Sequence, residues 1–182
     1  MTLSNLIYKR ISTAQVEIVP LHIRWLLKMG FGNHYFSRTG GTGMTKEEAV
    51  EKGLRLADRS GIAMLGTQGA DGYPCIKAMI KVENEGIKKI WFSTNTSSRR
   101  VSELALNSRA CVYFVDMEKW MGLMLTGTVE ILQDPDSRKR IWREGYEKYY
   151  KLGVDDPDYT VLCFTAIKGN YYHNLEKMSF EL

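Results

Sequence analysis

The sequence is poor in the residues that build metal and dithiol sites. Its three cysteines (Cys75, Cys111, Cys163) and three histidines (His22, His34, His173) are scattered, with no C-x-x-C pair. That spacing lacks the usual zinc and redox signatures, so no metal site is expected. An odd cysteine count fits a reducing compartment, and each thiol lies in an apolar strand-like run where buried, inert sulfur is expected. Long hydrophobic runs are missing as well. Val19–Phe31 is apolar but short, and it carries His22, Arg24 and Lys28, so no membrane span is expected. Met1–Ser12 has no apolar core of the secretory type, which makes the cytoplasm the expected location. The net charge of +4 comes without clustered Lys/Arg and interleaved aromatics. This argues against nucleic acid and suits anionic small molecules.

What is present is ordinary globular material: 182 residues, 44% hydrophobic and 25% charged, the size of one domain with a sizeable core. Residues 1–43 read as an arm or extension, a possible lid or partner contact, and 44–182 as the folded domain. Within the arm, an amphipathic helix is expected from Pro20, followed by a glycine-rich joint over Ser37–Gly43. The G-G-T-G there has no Walker lysine, which favours a linker over a nucleotide loop.

Thr45-Lys-Glu-Glu48 is a capping box, and Ala49, Leu54, Leu56 and Ala57 form the stripe of the helix it opens. Ile62–Thr67 reads as a strand, Gly69–Gly72 as a hairpin turn and Pro74–Val82 as a second strand. In the latter, Ile76, Ala78, Ile80 and Val82 alternate with Cys75, Lys77, Met79 and Lys81, which predicts that the lysine face is wet or carries a ligand. Further strands are expected over Ala110–Val115, Trp120–Leu132 (with a bend or bulge at Gly127) and Thr160–Ile167. A helix capped by Asp134 is expected to run to about Lys151, with Trp142, Tyr146, Tyr149 and Tyr150 on one core face. Gly169-Asn170 then predicts a turn into a short last strand.

The segment Trp91–Leu104 is the most informative. Ile90, Phe92 and Thr94 alternate with Trp91 and Ser93 as in a strand. Val101, Leu104 and Ala105 follow at helical spacing behind a serine cap, with Asn107 as the stop. Two serines and two arginines therefore fall where a helix has unpaired amides and the positive end of its dipole. Two readings are open at this point: a solvated, capped helix start, or a phosphate seat made from Ser97, Ser98, Arg99 and Arg100.

F-S-T-N-T-S-S-R-R resembles the phosphate-binding segment of the pyridoxamine 5'-phosphate oxidase-like flavoproteins. Pro74-Cys-Ile-Lys77 is similar to that family's P-x-x-R, with lysine for arginine and hence no planar fork. L-T-G-T-V-E-I-L resembles its glycine-containing strand, and the run from Trp142 through Gly153-Val-Asp-Asp-Pro-Asp-Tyr159 most resembles its general stress protein 26 branch. Together the matches span about Thr45 to Asn174.

The resemblance implies a mainly β (α+β) fold, a six-stranded antiparallel split β-barrel with flanking helices. It implies FMN as cofactor. Ser97, Ser98, Arg99 and Arg100 would hold its phosphate, Lys77 and the backbone of Ala78 and Met79 would lie along the ring, and Phe92, Ser93 and Thr94 would reach its edge. It further implies a homodimer with the flavin site at the subunit interface, to which Trp120 and Gly122 contribute. The leading expectation is an FMN-dependent oxidoreductase acting on a small organic substrate with NAD(P)H, with no catalytic side chain assigned. Alternatives are a non-catalytic flavin-binding or stress-response protein, a true pyridoxamine 5'-phosphate oxidase, and a split barrel for F420 or haem. The oxidase reading finds only Lys168 and Lys177 to grip a substrate phosphate near the C-terminus, and haem only His173 as an axial ligand.

Overall fold

The computed structural model describes residues 43–182. The expected Pro20 helix and nearly all of the arm and joint over 1–43 lie outside the described residues. From Met44 the order is α1 (Lys46–Arg59), β1 (Ile62–Gln68), β2 (Pro74–Glu85), β3 (Lys89–Asn95), α2 (Arg99–Leu106), β4 (Arg109–Asp116), β5 (Met121–Leu132), α3 (Pro135–Ile141), β6 (Tyr159–His173) and β7 (Glu176–Glu181).

All pairings are antiparallel, in the order β3-β2-β1-β4-β5-β6, and β3 pairs again with β6 to close a six-stranded barrel. β6 is long enough for two tasks. Along one edge it pairs with β5; on the other, Tyr159–Thr165 pair with β3 and Lys168–His173 with β7. Gly127 makes the predicted bulge, as the β5–β6 register shifts between Thr126 and Gly127. A Cβ there would strike the Thr165 carbonyl, so only glycine lets the two backbones meet.

The barrel is filled by Leu65, Ile90, Phe92, Val112, Phe114, Leu123, Leu125, Leu162 and Phe164, all at or below 1% exposure. α1 adds Ala49, Leu56 and Ala57, and its Thr45–Glu48 capping box is formed in both directions. Its far end is tied to the barrel by Lys81, whose Nζ donates to the Ala57 carbonyl at 2.7 Å and to Asn84 Oδ1 at 2.6 Å. A cation on the last carbonyls of a helix is favourable there. A second cluster of Trp91, Ile141, Tyr150, Tyr159, Val161 and Cys163 lies between α3 and the β3–β6 pair.

Two expectations are corrected. The Asp134-capped helix ends at Ile141, because Trp142 leaves helical geometry (ψ 137°) and Gly145 turns left-handed (φ 88°). The break lets Trp142, Tyr146 and Tyr150 converge on the Tyr159 ring at centroid distances of 5.1, 6.4 and 4.8 Å, while Tyr149 points outward. Gly169-Asn170 is not a turn; β6 runs straight through it, and the reversal falls at Asn174 and Leu175, both at positive φ. Gly169 serves a close approach, since a Cβ there would meet the Phe180 ring at 2.5 Å. On β2, the isoleucine face is the exposed one: Ile76 and Ile80 are 70% and 66% open, whereas Met79 is buried on the lysine face. β1 continues that exposed stripe, Ile62 lying opposite Ile80 and Met64 opposite Ala78.

Candidate functional site

The β1–β2 register puts Thr67 opposite Cys75 and Leu65 opposite Lys77, so these four side chains share one face of the pair. α2 starts beside them: its apolar residues Val101 and Leu104 enter the barrel core, and that rotation carries Arg100 and Glu103 inward as well. Between the helix start and the strands lies a cavity of about 250 Å³ lined by Thr67, Cys75, Lys77, Ser98, Arg99, Arg100 and Glu103, with Leu65 and Ile76.

Its polar groups are unevenly used. Glu103 is 6% exposed and fully engaged: Oε2 accepts from Thr67 Oγ1 at 2.9 Å, and Oε1 accepts from Arg99 Nε at 2.6 Å. The hydrogen bond from Arg99 holds its carboxyl below the usual range against the opposing effect of burial. Arg99 is raised in return, first by that bond and then by the charges of Cys75 and Glu103, and its Nη2 also donates to Cys75 Sγ at 2.8 Å. Arg100 is 9% exposed, and among the described residues its hydrogen bond from Nη1 to Thr94 Oγ1 at 3.3 Å leaves most of its donors free. Burial lowers its pKa, with Glu103 opposing. Ser98 is the N-cap of α2, yet its hydroxyl makes no cap bond, and among the described residues its buried Oγ finds no partner. Among the described residues the amides of Arg99 and Arg100 also find no acceptor.

Lys77, Ser98, Arg99 and Arg100, four of the residues singled out from sequence, thus line one cavity, and Thr94 joins through Arg100. The others do not line it. Ser97 is exposed, and its amide is already taken by Asp158 Oδ1 at 2.8 Å. The side chains of Met79 and Phe92 are in the core, Ala78 is on the outer face, and Ser93 Oγ lies 3.4 Å from the Tyr146 hydroxyl in the aromatic cluster. Trp120 and Gly122 are at the other end of β4–β5: Gly66 pairs with Cys111, and Asp116, five residues on, pairs with Met121, roughly 17 Å away at strand rise. Trp120 sits in the turn before β5 at φ 51°, and Gly122 lies under the Tyr113 and Tyr172 rings.

Glu103 and Thr67 were not foreseen, whereas the alternation of β2 puts Cys75 with Lys77 on the face expected to be wet or to carry a ligand. Arg99 and Glu103 stand four apart on a helix, a spacing that could have suggested the pair, whereas Thr67 needs the tertiary fold. Cys75 and Cys111 are also less buried than expected; only Cys163 matches the inert reading, and burial raises its pKa.

The family model described as pyridoxamine 5'-phosphate oxidase like matches residues 48–182. The chain belongs to that family. A Clostridium acetobutylicum protein related to general stress protein 26 of B. subtilis is 50% identical, over 76% of this chain and 97% of its own, with a TM-score of 0.70. The general stress protein 26 of Bacillus anthracis shares the family fold at 16% identity, over 71% and 97% of the two chains (TM-score 0.60). A heme binding protein of Mycobacterium smegmatis does so at 17% identity, over 73% and 57% (TM-score 0.62). No curated protein matches by sequence. Among the described residues no helix is long and apolar enough to cross a membrane, and no cluster of three or more His, Cys, Asp or Glu could hold a metal.

Proposed function

We propose that the cavity at the start of α2 is the phosphate seat of an FMN site, and that the protein is an FMN-dependent oxidoreductase acting on a small organic substrate. The observation that carries this is the donor set left unused among the described residues: a buried Ser98 hydroxyl without a partner, two free helix amides and a nine-tenths-buried Arg100 with spare N–H groups. Leaving such groups buried and unpaired costs about 1–3 kcal/mol each, and an anionic oxygen in the cavity offsets that cost. Arg99, held on one side by Glu103, presents its remaining donors to the same space. The residues fit a phosphate monoester: Ser98, Arg99 and Arg100 bind it and Lys77 balances its charge. When bound there, FMN supplies hydride and electron transfer, with NAD(P)H as donor, and the protein supplies binding and orientation. A groove of about 750 Å³ shares Thr67 and Ile76 with the seat and gives room for the rest of a phosphorylated ligand.

The same reading makes the protein a homodimer. Ile62, Met64, Ile76 and Ile80 form an apolar stripe on the outer face of β1–β2, which a second copy would cover. Trp120 and Gly122, remote from the seat in their own chain, would then serve the partner's flavin.

The test is the absorbance spectrum before and after adding FMN, with Arg99→Ala/Arg100→Ala alongside and light scattering on the same sample. Flavin bands that depend on the two arginines, from a dimer, support the reading. Failure of the wild type to bind FMN, or a stable monomer at micromolar concentration, overturns it. A Soret band would instead favour haem, the ligand named for the Mycobacterium smegmatis neighbour.

A further inference from the structure

We infer that Cys75 is a modification site: it undergoes thiol–disulfide exchange with small anionic disulfides of the glutathione type, and the mixed disulfide closes the phosphate seat. The inference rests on reading the cavity as an anion seat, and it adds a means of control to it.

Cys75 is the one cysteine on the cavity wall, and it is partly open to solvent. Its sulfur accepts an N–H from Arg99 Nη2 at 2.8 Å, and Lys77 and Arg100 line the same space. The thiolate is the attacking species in exchange, and the cationic wall of Arg99, Arg100 and Lys77 would draw an anionic disulfide to the sulfur. Glu103 opposes, with Oε1 3.7 Å from the sulfur, but its charge is already paired with Arg99. The second indication of a ligand is independent of the thiol: the orphan Ser98 hydroxyl and the spare donors of Arg100 face the same cavity and call for an anion. A disulfide that carries carboxylates satisfies them and brings its sulfur to Cys75. Cys163 is buried, and Cys111 packs over Gly66 on the outer face, where a Cβ would meet its sulfur at 2.6 Å. Neither lines the seat.

In the step, Cys75 sulfur attacks one sulfur of the disulfide, whose S–S bond breaks as the new one forms. The other half departs as a thiolate, and the Cys75 proton passes to solvent. Cys75 is oxidised and the reagent reduced, so no further oxidant is required. The adduct then occupies the volume that a phosphate would take.

The experiment follows the reduced full-length protein with glutathione disulfide by intact mass and peptide mapping. Comparisons are made with Arg99→Gln, with the cationic disulfide cystamine and with inorganic phosphate as competitor. The expected result is one adduct, at Cys75, forming about 10-fold faster or more than in Arg99→Gln or with cystamine, and slowed by phosphate. An adduct mapping to Cys111, or a rate indifferent to Arg99, reagent charge and phosphate, overturns the inference. FMN binding is measured in parallel. Protection by phosphate with no binding of FMN sinks the flavin reading and keeps the modification; tight FMN binding with unreactive Cys75 does the reverse.

Discussion

The start of α2 and the aromatic cluster under α3 are both rich in arginine and aromatic or hydroxyl residues, and both hold buried unpaired donors, but they differ in what those donors face. Under α3, Arg138 donates to the Asp156 carbonyl and lies 5.4 Å from the Tyr159 ring centroid. Arg140 pairs with Glu83 and Glu85 while stacking 4.4 Å over Trp91. Arg143 donates to the carbonyls of Arg140 and Trp142. Each guanidinium there has a protein partner, although among the described residues Arg138 Nε and Trp91 Nε1 are buried without one, and neither residue lines the cavity at α2. At α2 the two arginines keep free N–H groups beside a partnerless hydroxyl. Neither positive charge nor an unpaired donor alone marks a site; several unused donors lining one cavity do.

The largest effect that would sharpen this contrast is on ligand binding. Arg99→Ala/Arg100→Ala should weaken FMN by about 10²–10⁴-fold, from two charge-assisted contacts at about 1.5–3 kcal/mol each, while riboflavin, lacking the phosphate, changes far less. Fluorescence titration of both ligands checks it, and an equal loss for both would break the contrast. Next is stability. Tyr159→Ala empties the centre of the aromatic cluster and should cost about 3–5 kcal/mol in urea unfolding while leaving the FMN-to-riboflavin ratio unchanged. A change in that ratio would mean that the two regions are coupled.

Thr67→Val removes the hydroxyl that donates to buried Glu103 and should cost about 1–3 kcal/mol. Glu103 also gives a pH signature. Its folded pKa lies below the ordinary 4.5, so its contribution is complete above that value and is lost as pH falls through the folded one. Melting temperature measured on an acid series should therefore fall less steeply for Glu103→Gln than for wild type below pH 4.5. The smallest effect belongs to the exposed network: Arg140→Ala should cost only about 0–1 kcal/mol and leave FMN binding intact.

The β3–α2 unit was legible because its signals are local: alternation in the strand, helical spacing after Ser98, and Asn107 as the cap. Gly127 was readable for the same reason, as a glycine inside an alternating strand. The alternation of β2 separated its two faces, and the end of the lysine face with Cys75 and Lys77 does line the cavity, but only the fold shows which face meets the core. Met79 and Lys81 face inward, Lys81 to hold the last carbonyls of α1, and the isoleucines are left outside in a single chain. The α3 segment was read too long, since Gly145 at left-handed φ and the pull of Tyr159 outweigh a helical stripe of aromatics. In the site, the two arginines and Ser98 could be found from sequence. The Arg99–Glu103 pair was open to the i,i+4 rule and Cys75 to the alternation of β2, but Thr67 as the donor to Glu103 could not be found, because it depends on the β1–β2 register beneath α2.

The double duty of β6 has a consequence for how the chain is made. β3 leaves the ribosome early, but the strand that seals it, Tyr159–Thr165, begins more than sixty residues after Asn95. At ordinary elongation rates the sealing strand follows after roughly 3–13 s. Through that interval β3 carries a bare edge next to the phosphate seat and can pair with another nascent chain. Closure is then a late event of high contact order, and slow relative to the hairpins that precede it. A chain stalled before Tyr159 would have its ligand-binding helix in place on a barrel still open at the seam.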